Sequence, residues 1–518
     1  MLDQNMLEAV KQYTANLSKS ITFVLQTGEH NKRVELKEFL SDLSAVSDKL
    51  SLEERDFEGA RSPVSFTLEA DKQPTDIIFS GIPGGHEFSS LILAILQAGG
   101  TALKLDSGIQ TLIRNIQQPL KFETFVSLSC HNCPDVVQAL NQFALLNKNI
   151  QSEMIDGGLF QEEIEARNIQ GVPSVYLNGE SFANGKIDTA KLIEKLIEKY
   201  PEIVNSNHAE QLPVQDVTVI GGGPAGASAA IYAARKGLKV TLIADRIGGQ
   251  VKDTMGIENL IGTKETTGPV LAAQLQEHIA AYEITVKENL TVKNVEKGEK
   301  THKVTLKTGE VIETRTLIIA SGAKWRELGV PGEKENLGKG VAYCPHCDGP
   351  FFKGKHVAVI GGGNSGIEAA LDLAGIVKHV SVFEFAETLK ADKVLVEAAE
   401  KKENIDIYTN VATQSIQAES GKVNAIRYQN RADGSEHQLD LEGVFVQIGL
   451  VPNTTFVKDV VECTRFGEIV INAKGETNIA GIFAAGDCTT VPYKQIVIAM
   501  GEGAKAALSA FDYLIRQN

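Results

Sequence analysis

The order of apolar and polar positions divides the chain into three sectors. In the first, roughly 1–105, apolar runs predict a strand, a helix, two strands and a second helix, at 21–25, 34–50, 65–68, 76–82 and 89–97. The second sector, roughly 106–200, repeats that order with a strand, a helix, the start of a hairpin and a helix, at 122–129, 134–146, 172–179 and 187–199. The two sectors together predict an imperfect internal duplication of one α/β unit.

A polar stretch without periodicity follows at 201–213, where we predict an interdomain linker, with an ordinary long surface loop as the alternative. The third sector, 214–518, contains the order strand, glycine turn, helix, strand twice, at 216–245 and 355–384. Strands that are apolar throughout and alternate with helices predict parallel sheets covered on both faces. The fold class is therefore predicted to be α/β.

Each of these two repeats contains the pattern G-x-G-x-x-G between its strand and its helix. The first glycine permits a tight turn, the second lets the backbone approach a pyrophosphate, and the third lets the helix pack on the strand. A purely structural role for both loops is the alternative. The predicted dinucleotide-binding residues are Gly221, Gly223, Pro224, Ala225 and Gly226 in the first loop, and Gly361, Gly363, Asn364, Ser365 and Gly366 in the second.

An acidic residue ends the strand that follows each loop. Asp245 lies 24 residues and Glu384 23 residues after the first glycine of its loop, where a carboxylate accepts hydrogen bonds from ribose hydroxyls. Glu384 would repel a 2′-phosphate, and the stretch 383–392 contains Lys390 but no arginine. We therefore expect NAD(H) to be preferred over NADP(H).

Composition excludes several classes of protein. The chain has 518 residues and a formal net charge of −15, which argues against a nucleic-acid partner. Its clearest apolar runs, such as 91–96, are far shorter than the ~18 residues of a membrane span. The N-terminus has neither a basic nor an apolar signal region, so we expect a cytoplasmic protein in which stable structural disulfides are uncommon.

Four of the six cysteines form two C-x-x-C pairs, which are candidates for metal binding or redox catalysis. The pair Cys344/Cys347 is followed by Asp348, an acid that could manage a thiol proton, whereas a zinc site would need two further ligands. The pair Cys130/Cys133 lies at a strand-to-helix junction, where the helix N-terminus would stabilise a thiolate. Two buried core cysteines are the alternative for this pair. No metal site is predicted.

Several segments resemble the flavoprotein reductases that have two dinucleotide-binding domains. The run TNIAGIFAAGDC at 477–488 resembles their second flavin-binding motif, and LIIASGAKWR at 317–326 resembles the strand that links the FAD and nicotinamide domains. GGQV, IEN and the helix at 493–507 resemble their flavin-contact segments. The FAD-binding residues that this resemblance implies are Gly249, Gln250, Asn259, Gly486, Asp487, Gln495 and Ile496.

The string CxxCDG resembles the thioredoxin-reductase-like branch of that family. It implies that Cys347 faces the flavin, that Cys344 exchanges with the next disulfide, and that Asp348 is the acid–base group. The pair Cys130/Cys133, with Val172-Pro173 about 40 residues later, resembles the thioredoxin/glutaredoxin fold and makes Pro173 the expected cis-proline.

The first repeat has TGEHNKR at the corresponding junction, 27–33, and no cysteine. This repeat is expected to keep the fold without the redox pair. His86-Glu87 could tune the neighbouring disulfide, although a surface-loop role is the preferred interpretation.

Over nearly its whole length the chain resembles the flavoprotein components of bacterial alkyl hydroperoxide reductases. The resemblance implies tandem thioredoxin-like folds followed by two Rossmann-like domains of the thioredoxin reductase type. The implied electron path runs from NADH to FAD, to Cys344–Cys347, to Cys130–Cys133, and to the disulfide of a two-cysteine peroxiredoxin, the C component of such a reductase. A homodimer is also implied. Because the Cys344/Cys347 pair must face the flavin and then an external disulfide, we also expect the domains to rotate about the linker. The implied domains are 1–105, 106–200 with the first C-x-x-C, the linker 201–213, an FAD domain at 214–325 and 451–518, and an NAD domain at 326–450.

Two alternatives remain open at this point. A hydrogen-peroxide-forming NADH oxidase would leave Cys130 and Cys133 without a purpose. A redox-sensing binding protein would not need two dithiols together with two intact glycine loops. Multiple turnovers of NADH would distinguish an enzyme from a sensor.

Overall fold

The computed structural model describes residues 4–169, 171–185, 187–204, 212–254 and 256–517, and at 346 and 347 it describes the backbone alone. The helices are α1 Gln4–Thr14, α2 Arg33–Ser44, α3 Phe88–Ala98, α4 Ser107–Arg114, α5 Cys133–Leu146, α6 Gln161–Ala166, α7 Thr189–Lys199, α8 Pro224–Ala234, α9 Gly268–Ala280, α10 Pro345–Asp348, α11 Asn364–Ala374, α12 Lys393–Glu400 and α13 Ile496–Gln517.

The strands are β1 Ile21–Leu25, β2 Leu50–Glu54, β3 Ser65–Ala70, β4 Gln73–Ser80, β5 Leu120–Val126, β6 Ile150–Asp156, β7 Ser174–Leu177, β8 Glu180–Asn184, β9 Gln215–Ile220, β10 Val240–Ala244, β11 Ile284–Glu288, β12 Val292–Glu296, β13 His302–Leu306, β14 Val311–Ile319, β15 Ala323–Trp325, β16 Val341–Ala342, β17 His356–Ile360, β18 His379–Phe383, β19 Ile405–Tyr408, β20 Val411–Glu419, β21 Lys422–Asn430, β22 Glu436–Asp440, β23 Gly443–Val446, β24 Leu450–Pro452 and β25 Ile482–Ala484.

The chain divides into two compact units, which are described separately. The first comprises residues 1–212 with the short segments 288–291 and 305–311, and the second comprises 213–287, 292–304 and 312–518. Within the predicted linker, Pro201–Ile203 form a 3₁₀ turn whose Ile203 is buried, and residues 205–211 lie outside the described residues. The finer division into four domains and a linker stays a prediction.

One continuous sheet runs through the first unit in the order β2-β1-β3-β4-β6-β5-β7-β8. The two α/β repeats meet where β4 pairs with β6 in parallel, with Ile77 opposite Ser152 and Ser80 opposite Ile155. Because this pairing joins a strand of one repeat to a strand of the other, neither repeat exposes that edge of its sheet to solvent. The predicted duplication is thus built as a single sheet.

A buried charge network also joins the two repeats. Arg61, in the segment between β2 and β3, donates to Glu153 at 2.8 Å and to Glu123 at 2.5 Å, and it pairs with Glu163. Glu153 is 0% exposed and also accepts from the Ser80 hydroxyl at 2.7 Å. Burial would lower the pKa of Arg61, but the hydrogen bonds and charges of these carboxylates raise it overall.

The structure departs from the predicted elements where polar residues are buried or where one element follows another directly. The predicted helix 34–50 ends at Ser44, and Leu50 begins a parallel strand instead. The central strand β6 has the sequence IQSEMID, and its Ser152 and Glu153 are buried, so its apolar pattern is broken. The periodicity of the sequence therefore did not reveal β6.

The second unit contains two α/β layers whose central strands pair in parallel, as predicted. One sheet has the order β11-β10-β9-β14-β13-β12, with β25 beside β14, and the other has the order β16-β23-β17-β18-β19. The antiparallel pair β15–β24 and the meander β20-β21-β22 complete this unit. Each glycine loop follows the central strand of its own sheet, β9 or β17, as the sequence pattern predicts.

Candidate redox centres and dinucleotide loops

The first glycine loop is tightly packed at Gly221 and Gly226 but leaves open space at Gly223. Gly221 has φ +116°, and a Cβ there would lie 2.1 Å from the Ala320 carbonyl oxygen. A Cβ on Gly226 would lie 1.7 Å from the Gly221 carbonyl oxygen, so helix α8 packs tightly on its own loop. A Cβ on Gly223 would meet nothing within 4 Å. This open backbone at the N-terminus of α8 fits a pyrophosphate group.

The second glycine loop repeats this geometry. Gly361 has φ +122°, and its Cβ would lie 2.4 Å from the Gln447 carbonyl oxygen. A Cβ on Gly366 would lie 1.9 Å from the Gly361 carbonyl oxygen, whereas Gly363 is again open. Pro224 and Asn364 begin the two helices, Ala225 is buried in the first turn of α8, and Ser365 is exposed in the first turn of α11. Both loops therefore fit the diphosphate of a dinucleotide.

The two acids that follow the loops are held differently. The Glu384 carboxylate accepts a hydrogen bond from the Gly362 backbone N–H at 2.5 Å and another from Ala386 N–H at 2.7 Å. Glu384 is therefore fixed against its own glycine loop. The exposed Asp245 accepts from the backbone N–H of Arg246 at 2.8 Å.

Several residues that the flavoprotein resemblance implies lie together in the second unit. Asn259 donates from its side-chain amide to the Gln495 side-chain oxygen at 3.1 Å, although 236 residues separate them in sequence. Gln495 immediately precedes Ile496, the first residue of α13. Asp487 lies in a 3₁₀ turn with Gly486, and burial raises the pKa of its carboxyl, an effect that Lys494 opposes.

The Gln250 side chain contacts the strand β15. With its amide oriented to satisfy both neighbours, it donates to the Ala323 carbonyl oxygen at 2.6 Å and accepts from the Trp325 indole nitrogen at 3.1 Å. Gln250 follows Gly249, which has φ +56° and begins a 3₁₀ turn. The Trp325 ring in turn stacks on Tyr343, with ring centroids 6.1 Å apart.

Cys344 lies directly after Tyr343 and takes part in a disulfide. The Asp348 backbone N–H donates to the Cys344 carbonyl oxygen at 3.0 Å, closing the helical turn α10. Burial raises the pKa of the Asp348 carboxyl to about 6. The predicted side-chain position of Cys347 lies outside the described residues.

Cys130 and Cys133 form a disulfide at the N-terminus of α5, with their Cα atoms 5.5 Å apart. Cys133 is fully buried, whereas Cys130 is partly exposed. The Cys130 sulfur lies 3.8 Å from the Val172 carbonyl oxygen, and the Val172–Pro173 peptide bond is cis, as the thioredoxin resemblance implies. An attacking thiolate can therefore reach Cys130 more easily than Cys133.

The first repeat places His86 beside the C-x-x-C segment. The His86 side chain is exposed, as a surface loop predicts, whereas Glu87 is buried, and a tuning role for the two residues stays a prediction. The His86 ring lies 4.0 Å from the His131 ring, measured between centroids, and Glu87 is fully buried at the start of α3. Burial raises the pKa of Glu87 to about 7; Ser90 lowers it and the charge of Asp135, on α5, raises it further. The sequence signal was weak because the short run GGHEF reads as a loop.

Arg431 is a residue whose position the sequence did not indicate. Its guanidinium lies over the Phe385 ring at 3.8 Å and donates to the Phe385 carbonyl oxygen at 2.7 Å and to the Asn410 side chain at 3.1 Å. Arg431 follows β21 and is 46 residues away from Phe385. The stretch 383–392 contains no arginine of its own, yet the fold brings one to Phe385.

Among the described residues, no group of three or more His, Cys, Asp or Glu side chains could hold a metal ion. In the same part of the chain, no helix is both long enough and apolar enough to span a membrane. Cys488 is a buried free thiol and Cys463 a partly exposed one.

Comparison with known proteins places these sites in a family. Residues 215–503 match the family model described as pyridine nucleotide-disulphide oxidoreductase, and residues 120–198 match a thioredoxin domain model. The F subunit of alkyl hydroperoxide reductase from Staphylococcus aureus (strain MRSA252) is 50% identical over 516 residues, and that from Pseudomonas aeruginosa is 49% identical over 523 residues. Each alignment covers 100% of this chain, with 100% and 99% of the respective relative.

Solved structures resemble more than half of the chain. A thioredoxin reductase from Streptococcus pyogenes is 35% identical, with a TM-score of 0.56, and the match covers 58% of this chain and 99% of the other. A thioredoxin reductase from Giardia duodenalis is 30% identical, with a TM-score of 0.57, covering 59% and 100%. The chain therefore belongs to the pyridine nucleotide-disulphide oxidoreductases and, within them, to the family formed by the F subunits of alkyl hydroperoxide reductases.

Proposed function

We propose that the chain is an FAD-dependent disulfide reductase that takes electrons from NADH and delivers them to the disulfide of a two-cysteine peroxiredoxin. Electrons would reach Cys344–Cys347 first and Cys130–Cys133 second. The observation that carries this proposal is that Cys130 and Cys133 form a disulfide whose accessible sulfur lies beside the cis peptide bond before Pro173, while Cys344, four residues before the partly buried acid Asp348, takes part in a disulfide as well. Thiol–disulfide exchange needs an acid–base group because protons must leave and enter as thiols react.

The two glycine loops are the proposed dinucleotide sites. The loop at Gly221 and the residues Asn259, Asp487 and Gln495 would hold FAD, and the loop at Gly361 with Glu384 would hold NADH. The flavin supplies the conversion between hydride transfer and thiol chemistry. The family itself implies FAD and a pyridine nucleotide.

The preference for NADH over NADPH rests on Glu384. Its carboxylate is fixed by two backbone N–H groups at the glycine loop, so the 2′-phosphate of NADPH would meet a negative charge that cannot move away easily. The fold brings Arg431 to Phe385, next to Glu384 in the chain, but its guanidinium already donates to the Phe385 carbonyl oxygen and the Asn410 side chain. The fixed carboxylate of Glu384 therefore supports NADH as the cofactor.

The exchange step between the two pairs follows from burial. A thiolate of Cys344 would attack the accessible sulfur of Cys130, forming a Cys344–Cys130 disulfide and releasing Cys133 as a thiolate. The thiol of Cys347 would then displace Cys130, closing Cys344–Cys347 and leaving Cys130 and Cys133 both reduced. Two electrons move, and Asp348 and Glu87 are the proposed acid–base groups for the protons.

The reduced Cys130–Cys133 pair would pass its electrons to the peroxiredoxin in the same way. This supports reduction of hydrogen peroxide and organic hydroperoxides by that partner. We also propose a homodimer in the cytoplasm, on the basis of the family and of the sequence features above. The hydrogen-peroxide-forming oxidase and the redox sensor are not favoured, because neither needs the Cys130–Cys133 pair.

The test is air-free NADH oxidation in the presence of peroxide, with and without an oxidised two-cysteine peroxiredoxin. We expect consumption that requires the peroxiredoxin and is faster with NADH than with NADPH. Consumption that begins only when air is admitted, and that the peroxiredoxin does not change, would contradict the proposal and favour the oxidase.

A further inference from the structure

Tyr343 is held from three sides at the position directly before Cys344. Its ring stacks on that of Trp325 in β15, with the two ring planes 15° apart. Its hydroxyl donates to a carboxylate oxygen of Glu333 at 2.8 Å, and its carbonyl oxygen accepts from the side-chain amide of Gln447 at 2.6 Å. Both the side chain and the backbone of this residue are therefore fixed, next to a cysteine that takes part in a disulfide.

The carboxylate of Glu333 joins two segments of the chain. Glu333 is 1% exposed, and its two oxygens accept from the backbone N–H groups of Leu328 and Gly329, each at 2.7 Å. A buried carboxylate is destabilising unless donors satisfy it, and the Tyr343 hydroxyl supplies the third hydrogen bond. Burial and the contact with Glu333 raise the pKa of that hydroxyl, so it remains a donor. Glu333 thus ties the segment after β15 to the residue before Cys344.

Gln447 ties the same residue to the second glycine loop. Tyr343 directly follows β16 and Gln447 directly follows β23, and these strands pair in parallel, so both residues lie at one edge of the sheet. The Gln447 backbone N–H donates to the Ile360 carbonyl oxygen at 2.8 Å, and a Cβ on Gly361 would meet the Gln447 carbonyl oxygen. The backbone of Tyr343 is therefore fixed to this sheet, and Glu333 determines where its hydroxyl lies.

We propose that Glu333 is a positioning residue for the Cys344–Cys347 disulfide and that it acts through the hydroxyl of Tyr343. The inference rests on the proposed function, in which this disulfide takes two electrons and two protons from the reduced flavin, so that its sulfur–sulfur bond breaks and two thiols form. Such a step is fast only when the reacting groups are held in the productive geometry, and a displacement of about 1 Å can slow a reaction about 100-fold. Tyr343 supplies such a restraint one residue before the sulfur.

The experiment follows this step by stopped-flow absorbance in the FAD-loaded full chain. Cys130 and Cys133 are replaced by serine in every protein, so that electrons stop at the first pair, and one equivalent of NADH is added without air. Reduced flavin should persist about ten- to 100-fold longer in Tyr343→Phe and in Glu333→Gln than in the parent protein. The preceding reduction of the flavin by NADH should change less than about twofold.

A second readout does not depend on turnover. Cys344 is partly buried, so release of its segment should let iodoacetamide alkylate it several times faster in the reduced protein. Peptide mass spectrometry measures this rate. A merely structural role of Glu333 would lower the free energy of unfolding without changing the rate of alkylation under native conditions.

Tyr282 provides a matched control in the same unit. Its hydroxyl accepts a hydrogen bond from the Arg235 guanidinium at 2.9 Å, and Tyr282→Phe removes this bond as Tyr343→Phe removes that to Glu333. Tyr282→Phe should leave both rates unchanged. The double variant Tyr343→Phe/Glu333→Gln should be no slower than the slower single variant, because both changes remove the same hydrogen bond.

Flavin reoxidation as fast in Tyr343→Phe as in the parent protein would overturn the inference, and so would unchanged alkylation of Cys344. Slowing factors that multiply in the double variant would also overturn it, because Glu333 would then act elsewhere. Tyr343→Phe keeps the stacked ring, so it decides the question even if Glu333→Gln does not fold. Failure of the parent protein to reduce its flavin with NADH would instead contradict the proposed function, so the two failures are distinguishable.

Discussion

The two α/β repeats of the first unit have the same order of elements but contribute different chemistry. In the second repeat, the junction between β5 and α5 carries the Cys130–Cys133 disulfide. In the first, the junction between β1 and α2 has no cysteine, yet the turn before α3 brings the His86 ring to 4.0 Å from the ring of His131, which lies between the two cysteines, and buries Glu87. The role that we propose for Glu87 would divide one redox centre between the copies of a duplicated domain, with sulfur in one and the acid in the other.

The largest expected effect comes from replacing the cysteines of the second repeat. Replacing Cys130 or Cys133 by serine should reduce peroxiredoxin-dependent NADH turnover to background, because the relay loses its second disulfide, while NADH still reduces the flavin. Stopped-flow absorbance separates the two steps. Cys463→Ser, which changes a free thiol outside both pairs, is the control. Retained turnover in either variant would show that the N-terminal pair is dispensable.

The next largest effect concerns the charge network of Arg61, which joins the two repeats. Arg61→Met should destabilise the first unit by about 3–5 kcal/mol, because it leaves the fully buried Glu153 without its main cation, whereas Glu123 keeps Arg167. Chemical denaturation of the full chain, followed by circular dichroism, measures this loss. Arg55→Met removes a more exposed partner of Glu69 and should cost less than about 1 kcal/mol. Equal losses in both variants would show that the network does not join the repeats in any special way.

A smaller effect is expected from replacing the buried acid of the first repeat, Glu87. Glu87→Gln should slow exchange at Cys130–Cys133 by about tenfold or more near pH 7 and remove a pH inflection there. Stopped-flow exchange with a small disulfide across pH 5–9 measures both changes. Glu29→Gln, an exposed acid at the equivalent junction of the first repeat, should change neither. An unchanged pH profile in Glu87→Gln would assign the proton to another group.

Glu87→Gln should also change how the free energy of unfolding depends on pH. Glu87 keeps its proton up to about pH 7 in the folded chain and to about 4.5 when unfolded, so the folded state binds more protons in that window. The free energy of unfolding therefore falls as the pH rises from 4.5 to 7. Glu87→Gln should flatten this dependence and be the more stable protein at pH 8. A steeper dependence in the variant would contradict the assignment.

The smallest effect should come from the histidine pair. His86→Ala removes a ring–ring contact at 4.0 Å, a type of contact that contributes about 0.5–1.5 kcal/mol, so chemical denaturation of the full chain should show a free energy of unfolding that is lower by about that amount. His86→Phe keeps a ring and should lie closer to the wild type. If both variants unfold alike, the ring contact makes no measurable contribution to stability.

The elements that could be predicted from sequence are those whose geometry depends on a short stretch of neighbouring residues. Both glycine loops, the Cys130–Cys133 junction and the cis bond before Pro173 fall in this class, because short motifs determine their geometry. Strand β6 could not be predicted, because Glu153 is buried against Arg61 from the other repeat. The position of Arg431 over Phe385 also depends on tertiary structure alone, since a hairpin 46 residues away delivers it.

The residue pair Trp325 and Tyr343 has a spectroscopic consequence. The chain contains one tryptophan, so its tryptophan emission reports on a single location, the strand β15. The indole stacks on Tyr343, the residue before Cys344, and its nitrogen donates to Gln250, which is a proposed flavin-contact residue. The protein therefore carries an intrinsic optical probe beside its reactive centre, and no label needs to be introduced to follow changes there in real time.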